Sequence, residues 1–497
     1  MHFILPSKNS IMTHQTLTLD LAKNPHKDVA YFRFRKEEDG KYLMTTDNGQ
    51  FTMLNGEDFI TLLETGRVPL EVKYKELCEK GFIKSVTNYT DVETRNYAQR
   101  NSFLNTGPAL HMIITTLRCN HKCKYCHAAV APMTAKELDM SVETAKKVVD
   151  TIFYTTNPSI TIEFQGGESL VNWDVVTFVV EYSQKKAKIH NKQLYLTLVT
   201  NLSLMTEEKL QYLVKNRVGV CTSMDGDKET HNWQRTFKDG DSYELVNYWI
   251  KRANALYKEH GSTYRVGALL TLTKPALAHY KKIIDAYVDL GLGSVGLRWL
   301  NPYGFAAAER EKFYFDTDEF ITFFRDAMDY IIEINKKGYR LREMLSGVYL
   351  TKILTGQDPN FMDIRSPSGP AIGCLAYNYD GSVYASDESR MLARMGINDF
   401  CLTPMLDSPE ETYKAITESP VTNILIQTST LDGLPGYNDH VYKPYIGADT
   451  LFSFTQSGNP YSIFSKDERN VMQLARLDYL FEKMGDETIM EIFRKWI

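Results

Sequence analysis

The sequence predicts an α/β fold whose parallel sheet is either open or curled into a partial (β/α)6 barrel, with a small α+β unit before it and a further domain after it. The main observation is that short apolar segments alternate six times with amphipathic helical segments between residues 110 and 299. The expected strands are 110–117, 159–165, 193–199, 218–224, 264–271 and 294–299. Parallel sheets of this kind place their chemistry at the carboxyl ends of the strands, so functional residues are expected there.

The chain on either side of the barrel has a different pattern. Residues 1–27 lack sustained periodicity and are expected to form a flexible tail. Residues 28–95 combine alternating strands, joined at an Asp39-Gly40 turn, with helical segments, which is typical of a winged-helix-like unit. The barrel is expected over 108–305, bridging helices over 306–365 and a C-terminal domain over 366–497.

Composition excludes several kinds of partner. A net charge of -5 and a pI near 6.2 give no basis for binding nucleic acid or an anionic membrane. The N-terminal segment does not have the pattern of a signal peptide, and no apolar run approaches the roughly 20 residues of a membrane helix. The seven cysteines are an odd number and three are crowded together, which indicates a reducing cytoplasm and a metal site rather than a disulfide framework.

Three cysteines directly follow the first predicted strand. Cys119, Cys123 and Cys126 form a C-x3-C-x2-C loop that can ligate three irons of a cubane and leave the fourth iron open. The amine and carboxylate of a methionine can chelate an open iron, and S-adenosylmethionine (SAM) offers both groups. The alternative is structural zinc held by these cysteines with His121 or His127, and the loop alone leaves both hypotheses open.

The next three predicted strands also end in residues suited to binding a small polar molecule. Gly166 and Gly167 can let backbone carbonyls approach an ammonium group, and Glu168 adds negative charge. Thr200 and Asn201 can hydrogen-bond a ribose or a carboxylate. The fourth strand ends in Ser223-Met224-Asp225-Gly226, which His231 and Arg235 follow. Since these groups follow successive strand ends, they favour the iron–sulfur cluster strongly over zinc.

Taken together, these motifs resemble the radical SAM superfamily, in its branch of peptide maturases with a C-terminal SPASM domain. From Val29 onward the sequence is most similar to radical SAM maturases of His-Xaa-Ser peptide systems. The segments that carry this resemblance include Leu297–Phe305, Ala376–Gly381 and Leu434–Gly436. The resemblance implies one [4Fe–4S] cluster on Cys119, Cys123 and Cys126, with SAM beside it. It implies that Tyr125 lies against the adenine and that Gln165, Gly166, Gly167 and Glu168 hold the methionine amine. Thr200, Asn201, Ser223 and Arg235 are its candidates for the ribose and the carboxylate.

The C-terminal domain departs from the family in its cysteines. The resemblance leads us to expect ligands of auxiliary clusters at eight positions that hold other residues here: Ser368, Ser386, Thr430, Tyr437, His440, Ile446, Asp449 and Asn470. Cys374 and Cys401 alone cannot ligate a cubane. We therefore expect a SPASM-like domain over 366–497 without auxiliary clusters, and we expect Cys78, Cys221 and Cys374 to be inert thiols rather than hydrogen-atom donors.

The expected function is peptide maturation by a radical SAM enzyme, in the biosynthesis of ribosomally synthesised and post-translationally modified peptides. The implied partners are a precursor peptide and an external electron donor of the flavodoxin or ferredoxin type. The N-terminal unit either recognises that peptide or is a structural cap on the barrel. Two further hypotheses stay open, namely a radical SAM enzyme acting on a small molecule and a non-catalytic scaffold that binds SAM or peptide for a partner maturase.

Overall fold

The structure is a computed structural model that describes residues 21–85 and 88–497. The described chain forms two compact units. The first unit contains the chain up to Ser102, together with Thr351–Asn360 and Pro435–Ile446. The second contains Phe103–Leu350, Phe361–Leu434 and Gly447–Ile497. Most of the tail predicted for residues 1–27 lies outside the described residues. Each unit consists of several separate chain segments, whereas the sequence predicts continuous domains. The predicted domain boundaries stay a prediction.

The first unit has the small α+β fold expected from the sequence. Its sheet consists of β1 (Arg33–Lys36), β2 (Tyr42–Thr45) and β3 (Phe51–Leu54), with β2 paired antiparallel to both neighbours. Gly40 has a φ of +83°, which permits the tight turn predicted between the first two strands. Three helices follow: Gly56–Thr65, Glu71–Glu79 and Tyr89–Arg100. Tyr42 stacks on Phe59 with ring centroids 4.1 Å apart, so sheet and first helix share one core.

The second unit is organised around an eight-stranded sheet. The strands of this unit are β4 (Leu110–Thr116), β5 (His121–Cys123), β6 (Ser159–Gly166), β7 (Gln193–Thr200), β8 (Val218–Ser223), β9 (Arg235–Phe237), β10 (Gly267–Leu269), β11 (Ser294–Val295), β12 (Arg342–Glu343), β13 (Cys374–Tyr377), β14 (Val383–Tyr384) and β15 (Cys401–Thr403). The order in the sheet is β10-β8-β7-β6-β4-β13-β14-β15. The strands from β10 to β13 run parallel, and the last two are antiparallel.

Helices cover the parallel strands, as the alternating pattern predicts. The α-helices that begin in this unit are Val142–Ile152, Trp173–Ile189, Glu207–Lys215, Lys228–Gln234, Ser242–Glu259, Lys274–Leu277, Tyr280–Asp289, Gly304–Ala308, Arg310–Phe313, Thr317–Lys336, Met344–Thr355, Asp387–Arg394, Pro409–Glu418, Pro420–Ser429, Thr450–Ser457, Glu468–Lys483 and Glu487–Arg494. Ser141 and Thr206 cap the helices that follow them, as expected from their sequence positions. The mixed α/β fold is thereby confirmed.

The sixth predicted strand is wrong in its extent and its partner. Only Ser294–Val295 is extended, and it pairs with β12 rather than joining the main sheet. The cause is a buried ion pair between Glu343 and Arg476, whose side chains bond the backbone N–H and C=O of Leu297. Those backbone groups are therefore unavailable to a strand ladder. The sixth parallel strand of the sheet is instead β13, from the region assigned to the C-terminal domain by sequence.

Within the described residues, no helix is both long enough and apolar enough to cross a lipid bilayer.

His111 on β4 provides a test of this core. Its imidazole is fully buried between Pro108 O and the Tyr377 hydroxyl on β13, and burial lowers its pKa to about 3. The unfolded chain binds a proton below about pH 6.5 that the folded chain excludes, so stability is lost as the pH falls. Between pH 6.5 and pH 5 this amounts to about 2 kcal/mol.

We expect His111→Gln to remove that share of the pH dependence of the free energy of unfolding, measured by urea denaturation at several pH values. His260→Gln, at an exposed position, is the control and should leave the pH dependence unchanged. Parallel pH curves for His111→Gln and the wild type would contradict the assignment.

Candidate active site

The cavity of the second unit opens at the carboxyl ends of the parallel strands and has a volume of about 610 Å³. Residues that follow β4, β6, β7, β8 and β10 all contribute to its wall. Nearly every site residue predicted from the sequence lies on this wall: Cys119, Cys123, Tyr125, Cys126, Gln165, Gly166, Gly167, Thr200, Asn201, Ser223 and Arg235. The topology therefore brings together groups that are up to 116 positions apart in the sequence. Glu168 is the exception.

The cysteine loop is held in place by a short ladder of its own. β5 pairs antiparallel with β9, which sets Cys123 opposite Arg235. Burial raises the pKa of the Cys123 thiol to about 12, and burial also raises the pKa of Cys119 and Cys126. The three side chains are therefore thiols in the metal-free protein, and a metal that binds them must displace their protons.

Side-chain nitrogens face two of the three sulfurs. Arg235 Nη1 lies 3.8 Å from Cys123 Sγ, and Asn201 Nδ2 lies 3.8 Å from Cys119 Sγ. The His121 backbone N–H donates to Cys119 Sγ at 3.4 Å. Such N–H···S contacts accompany thiolate ligands of iron–sulfur clusters, where they stabilise charge on sulfur. The donor set around the loop therefore fits a cluster.

The zinc hypothesis has less support from this geometry. Both ring nitrogens of His121 are engaged away from the sulfurs, by Asn120 Oδ1 at 3.3 Å and Ser242 Oγ at 3.0 Å. His127 lines the cavity with a buried Nε2 that lacks a hydrogen-bond partner among the described residues. Among residues 21–85 and 88–497, no three His, Cys, Asp or Glu side chains lie close enough together to hold a metal ion as they stand, and this applies to zinc and to a cluster alike.

Asp225 belongs to the motif Ser223-Met224-Asp225-Gly226, but the sequence did not predict a role for it. It is fully buried, and it accepts hydrogen bonds from the Tyr125 hydroxyl at 2.7 Å, Arg235 Nε at 2.8 Å and the Thr271 N–H at 3.1 Å. The only signal in the sequence was its position two residues after Ser223 at a strand end. The carboxylate balances the buried guanidinium and fixes the ring of Tyr125.

The Arg235 side chain therefore has contacts with several other side chains of the protein. Its guanidinium bonds Asp225, faces Cys123 and lies 5.3 Å above the Tyr125 ring centre. The role expected from the resemblance was contact with the ribose or carboxylate of SAM. That contact stays a prediction, and the structure places the side chain on the cavity wall beside the cysteine loop.

Glu168 does not lie on the cavity wall. Its buried carboxylate accepts from the Asn201 N–H and the Thr200 hydroxyl, both at 2.7 Å, and from the Leu170 N–H at 2.9 Å. The expected contact with the methionine amine stays a prediction. Glu168 instead ties the end of β6 to the end of β7, which orients Thr200 and Asn201.

The two glycines are needed for close packing. A Cβ at Gly166 would collide with the Thr116 carbonyl oxygen, and one at Gly167 would collide with the Arg118 carbonyl oxygen. Gly166 also has a φ of +145°, which other residues rarely adopt. The end of β6 can therefore press against the segment that leads into the cysteine loop, while its backbone still faces the cavity.

The cavity wall also carries charged residues that the sequence did not single out as a site. Burial raises the pKa of Glu163, Asp363 and Asp387 above the ordinary range of carboxylates. Arg298 and Arg469 lie on the same wall, and Arg469 pairs with Asp449. These residues come from segments up to 306 positions apart, so no local pattern could have grouped them.

A comparison with known protein families identifies the part of the chain that forms most of the cavity wall. Residues 113–293 match the model of the Radical SAM superfamily. The chain contains a radical SAM domain. The match runs from residue 113, inside β4, to the residue before β11, and it includes the three cysteines and the ends of β6, β7 and β8, which are predicted to bind SAM.

Two curated relatives give the sequence context. The chain is 25% identical over 202 residues to the radical SAM cyclopropyl synthase TigE of Paramaledivibacter caminithermalis, a match that covers 37% of this chain and 41% of TigE. It is 26% identical over 288 residues to a cysteine-type anaerobic sulfatase-maturating enzyme of Clostridium perfringens, covering 56% of this chain and 75% of that enzyme.

Solved structures show the same fold. The structure of anSMEcpe with bound AdoMet and a Cp18Cys peptide matches with a TM-score of 0.60 at 19% identity, over 77% of this chain and 99% of that one. Streptococcus suis SuiB bound to its precursor peptide SuiA matches with a TM-score of 0.51 at 11% identity, over 89% and 99%. The resemblance to radical SAM maturases that the sequence suggested is thereby confirmed at the level of fold and class.

The buried pair of Asp225 and Arg235 yields a stability prediction. Asp225→Asn keeps the size of the side chain but leaves Arg235 without a compensating charge, so the free energy of unfolding should fall by about 3–5 kcal/mol. The measurement is urea denaturation of the metal-free protein. The exposed Asp239→Asn is the control and should change stability by less than about 0.5 kcal/mol. Equal stability of the two variants would contradict the role given to Asp225.

Proposed function

We propose that this protein binds one [4Fe–4S] cluster through Cys119, Cys123 and Cys126, cleaves SAM and modifies a ribosomally made peptide. The observation that carries the proposal is the grouping of three thiols with the strand ends predicted to bind SAM around one cavity inside a radical SAM domain. Three protein ligands leave one corner of a cubane open. SAM can occupy that corner through the amine and carboxylate of its methionine.

The bound cluster and SAM supply a reductive cleavage that gives methionine and a 5'-deoxyadenosyl radical able to abstract a hydrogen atom from the substrate. The chain supplies the ligands and the binding wall. Asn201, Ser223 and Gln165 present polar groups to the ribose and methionine, while Tyr125 offers its ring to the adenine. The electron comes from an external donor of the flavodoxin or ferredoxin type. The seven cysteines are free thiols, which suits a reducing cytoplasm.

The proposed substrate is a precursor peptide. SuiB binds its precursor SuiA, and anSMEcpe binds a peptide, in structures with this fold. The cavity wall mixes Asp363 and Glu163 with Arg298, which suits the donors and acceptors of a peptide segment better than an apolar small molecule.

We also propose that there are no auxiliary clusters. The positions where the resemblance expects cysteines perform packing and capping instead: Ser386 and Asp449 cap helices, and Tyr437 and Ile446 are buried apolar residues. Without auxiliary clusters, an electron lost by the substrate has no second acceptor in the chain. Chemistry that returns a hydrogen atom is therefore favoured over a two-electron oxidation. These same positions motivate the second candidate, a scaffold for a partner maturase, which would form no 5'-deoxyadenosine.

The cluster proposal predicts a defined iron content. After anaerobic reconstitution the wild type should hold about four irons and four sulfides per chain, and it should form 5'-deoxyadenosine from SAM under reduction. Cys119→Ala, Cys123→Ala or Cys126→Ala should abolish product formation and lower the iron content. Cys78→Ala and Cys401→Ala are the matched controls and should change neither. Eight or more irons per chain would contradict the single cluster, and iron-loaded protein without product would favour the scaffold.

The peptide proposal predicts separate effects on binding and on SAM cleavage. Asp363→Asn should lower peptide modification about tenfold, because a charged hydrogen bond to the substrate is lost. Product formation without peptide should stay within about twofold of the wild type. The measurement is mass spectrometry of small peptides encoded beside this protein and co-expressed with it. Asp399→Asn, at an exposed position, is the control. Equal loss of both reactions would place Asp363 in SAM binding or folding instead.

A further inference from the structure

Two buried histidines share one serine beneath the cysteine loop. Ser242 Oγ lies 3.0 Å from His121 Nε2 and 3.0 Å from His231 Nε2, and all three side chains are buried. His121 belongs to β5, His231 to the helix Lys228–Gln234, and Ser242 begins the helix Ser242–Glu259. None of the three lies among the groups proposed to bind the cluster or SAM, so their arrangement has no function so far.

The directions of these hydrogen bonds follow from their ends. The backbone N–H of Asp225 can only donate, and it lies 3.2 Å from His231 Nδ1. In an uncharged ring the proton of His231 is therefore on Nε2 and is donated to Ser242. The single hydroxyl proton of Ser242 is then donated to His121 Nε2. His121 in turn carries its proton on Nδ1, which donates to Asn120 Oδ1 at 3.3 Å.

Each end of this chain of hydrogen bonds leads to a different sulfur. At one end, Asp225 binds Arg235 through its carboxylate, and Arg235 faces Cys123 Sγ at 3.8 Å. At the other end, Asn120 Oδ1 accepts from Asn201 Nδ2 at 3.2 Å, and the same amide nitrogen faces Cys119 Sγ at 3.8 Å. One path of contacts therefore connects the donors on two of the three cysteines. It runs through Arg235, Asp225, His231, Ser242, His121, Asn120 and Asn201.

We propose that Ser242 and the two imidazoles it joins are positioning residues that hold Arg235 and Asn201 against Cys123 and Cys119 and thereby raise the reduction potential of the cluster. The inference rests on the cluster of the proposed function. Donors to a thiolate ligand stabilise the extra negative charge of the reduced cluster, so losing their alignment makes reduction harder. The alternative is that the path only braces the fold, in which case its loss would affect stability and leave the potential unchanged.

The test is a redox titration of the reconstituted holoenzyme without SAM, followed by electron paramagnetic resonance. Ser242→Ala breaks the path, and we expect the ratio of reduced to oxidised cluster at a fixed potential to fall about tenfold. Ser242→Thr keeps the hydroxyl and should restore the wild-type ratio. Ser183→Ala is the matched control, since Ser183 is equally buried and bonds only Val180 O in its own helix. It should leave the ratio unchanged.

A second pair of measurements separates positioning from bracing. Asn201→Ala should shift the ratio in the same direction, and adding Ser242→Ala to it should give less than the sum of the two effects, because both act through Cys119. If Ser242→Ala yields no folded holoenzyme, His231→Phe keeps a ring and removes both bonds, and the same shift is expected.

An unchanged ratio in Ser242→Ala, or an equal shift in Ser242→Thr, would overturn the inference while leaving the proposed function intact. A wild type that assembles no cluster would instead overturn the proposed function.

Discussion

The short antiparallel ladder between β5 and β9 is the interaction on which the candidate site depends. It sets Arg235 directly opposite Cys123, so that the guanidinium faces a ligand sulfur. A buried guanidinium needs a partner charge, and Asp225 provides it from the end of β8. The same carboxylate then fixes Tyr125. The loop, the fourth strand end and the proposed adenine contact are therefore parts of one electrostatic arrangement.

The parallel sheet supplies the second constraint, because it brings separate strand ends to one rim. Glu168 joins β6 to β7 by accepting from Thr200 and Asn201, and the absence of side chains at Gly166 and Gly167 lets β6 press against the segment after β4. Polar groups near the cavity are thus divided between those that face it and those that hold the facing groups in place. The path of hydrogen bonds through Ser242 holds facing groups in place.

The sequence predicted the parts of the site that are encoded locally. The cysteine spacing and the polar residues after each strand follow one another along the chain, and the sheet topology that unites them is implied by the alternation of strands and helices. The sequence did not reveal that Glu168 and Arg235 serve protein groups, because their partners come from other strands. It also missed β13 as the sixth parallel strand, since Cys374–Tyr377 joins β4 from more than 250 positions away. The buried pair of Glu343 and Arg476 shortened the expected strand for the same non-local reason.

The central claim is that three thiolates hold a cubane with one iron left open for SAM. Its most direct test is the electron paramagnetic resonance spectrum of the reduced, reconstituted protein recorded with and without SAM. An open iron that SAM chelates should change the g values and line shape when SAM is added, and the change should saturate at one SAM per cluster. A spectrum unaffected by SAM, or a loop that holds zinc after anaerobic purification, would contradict the account.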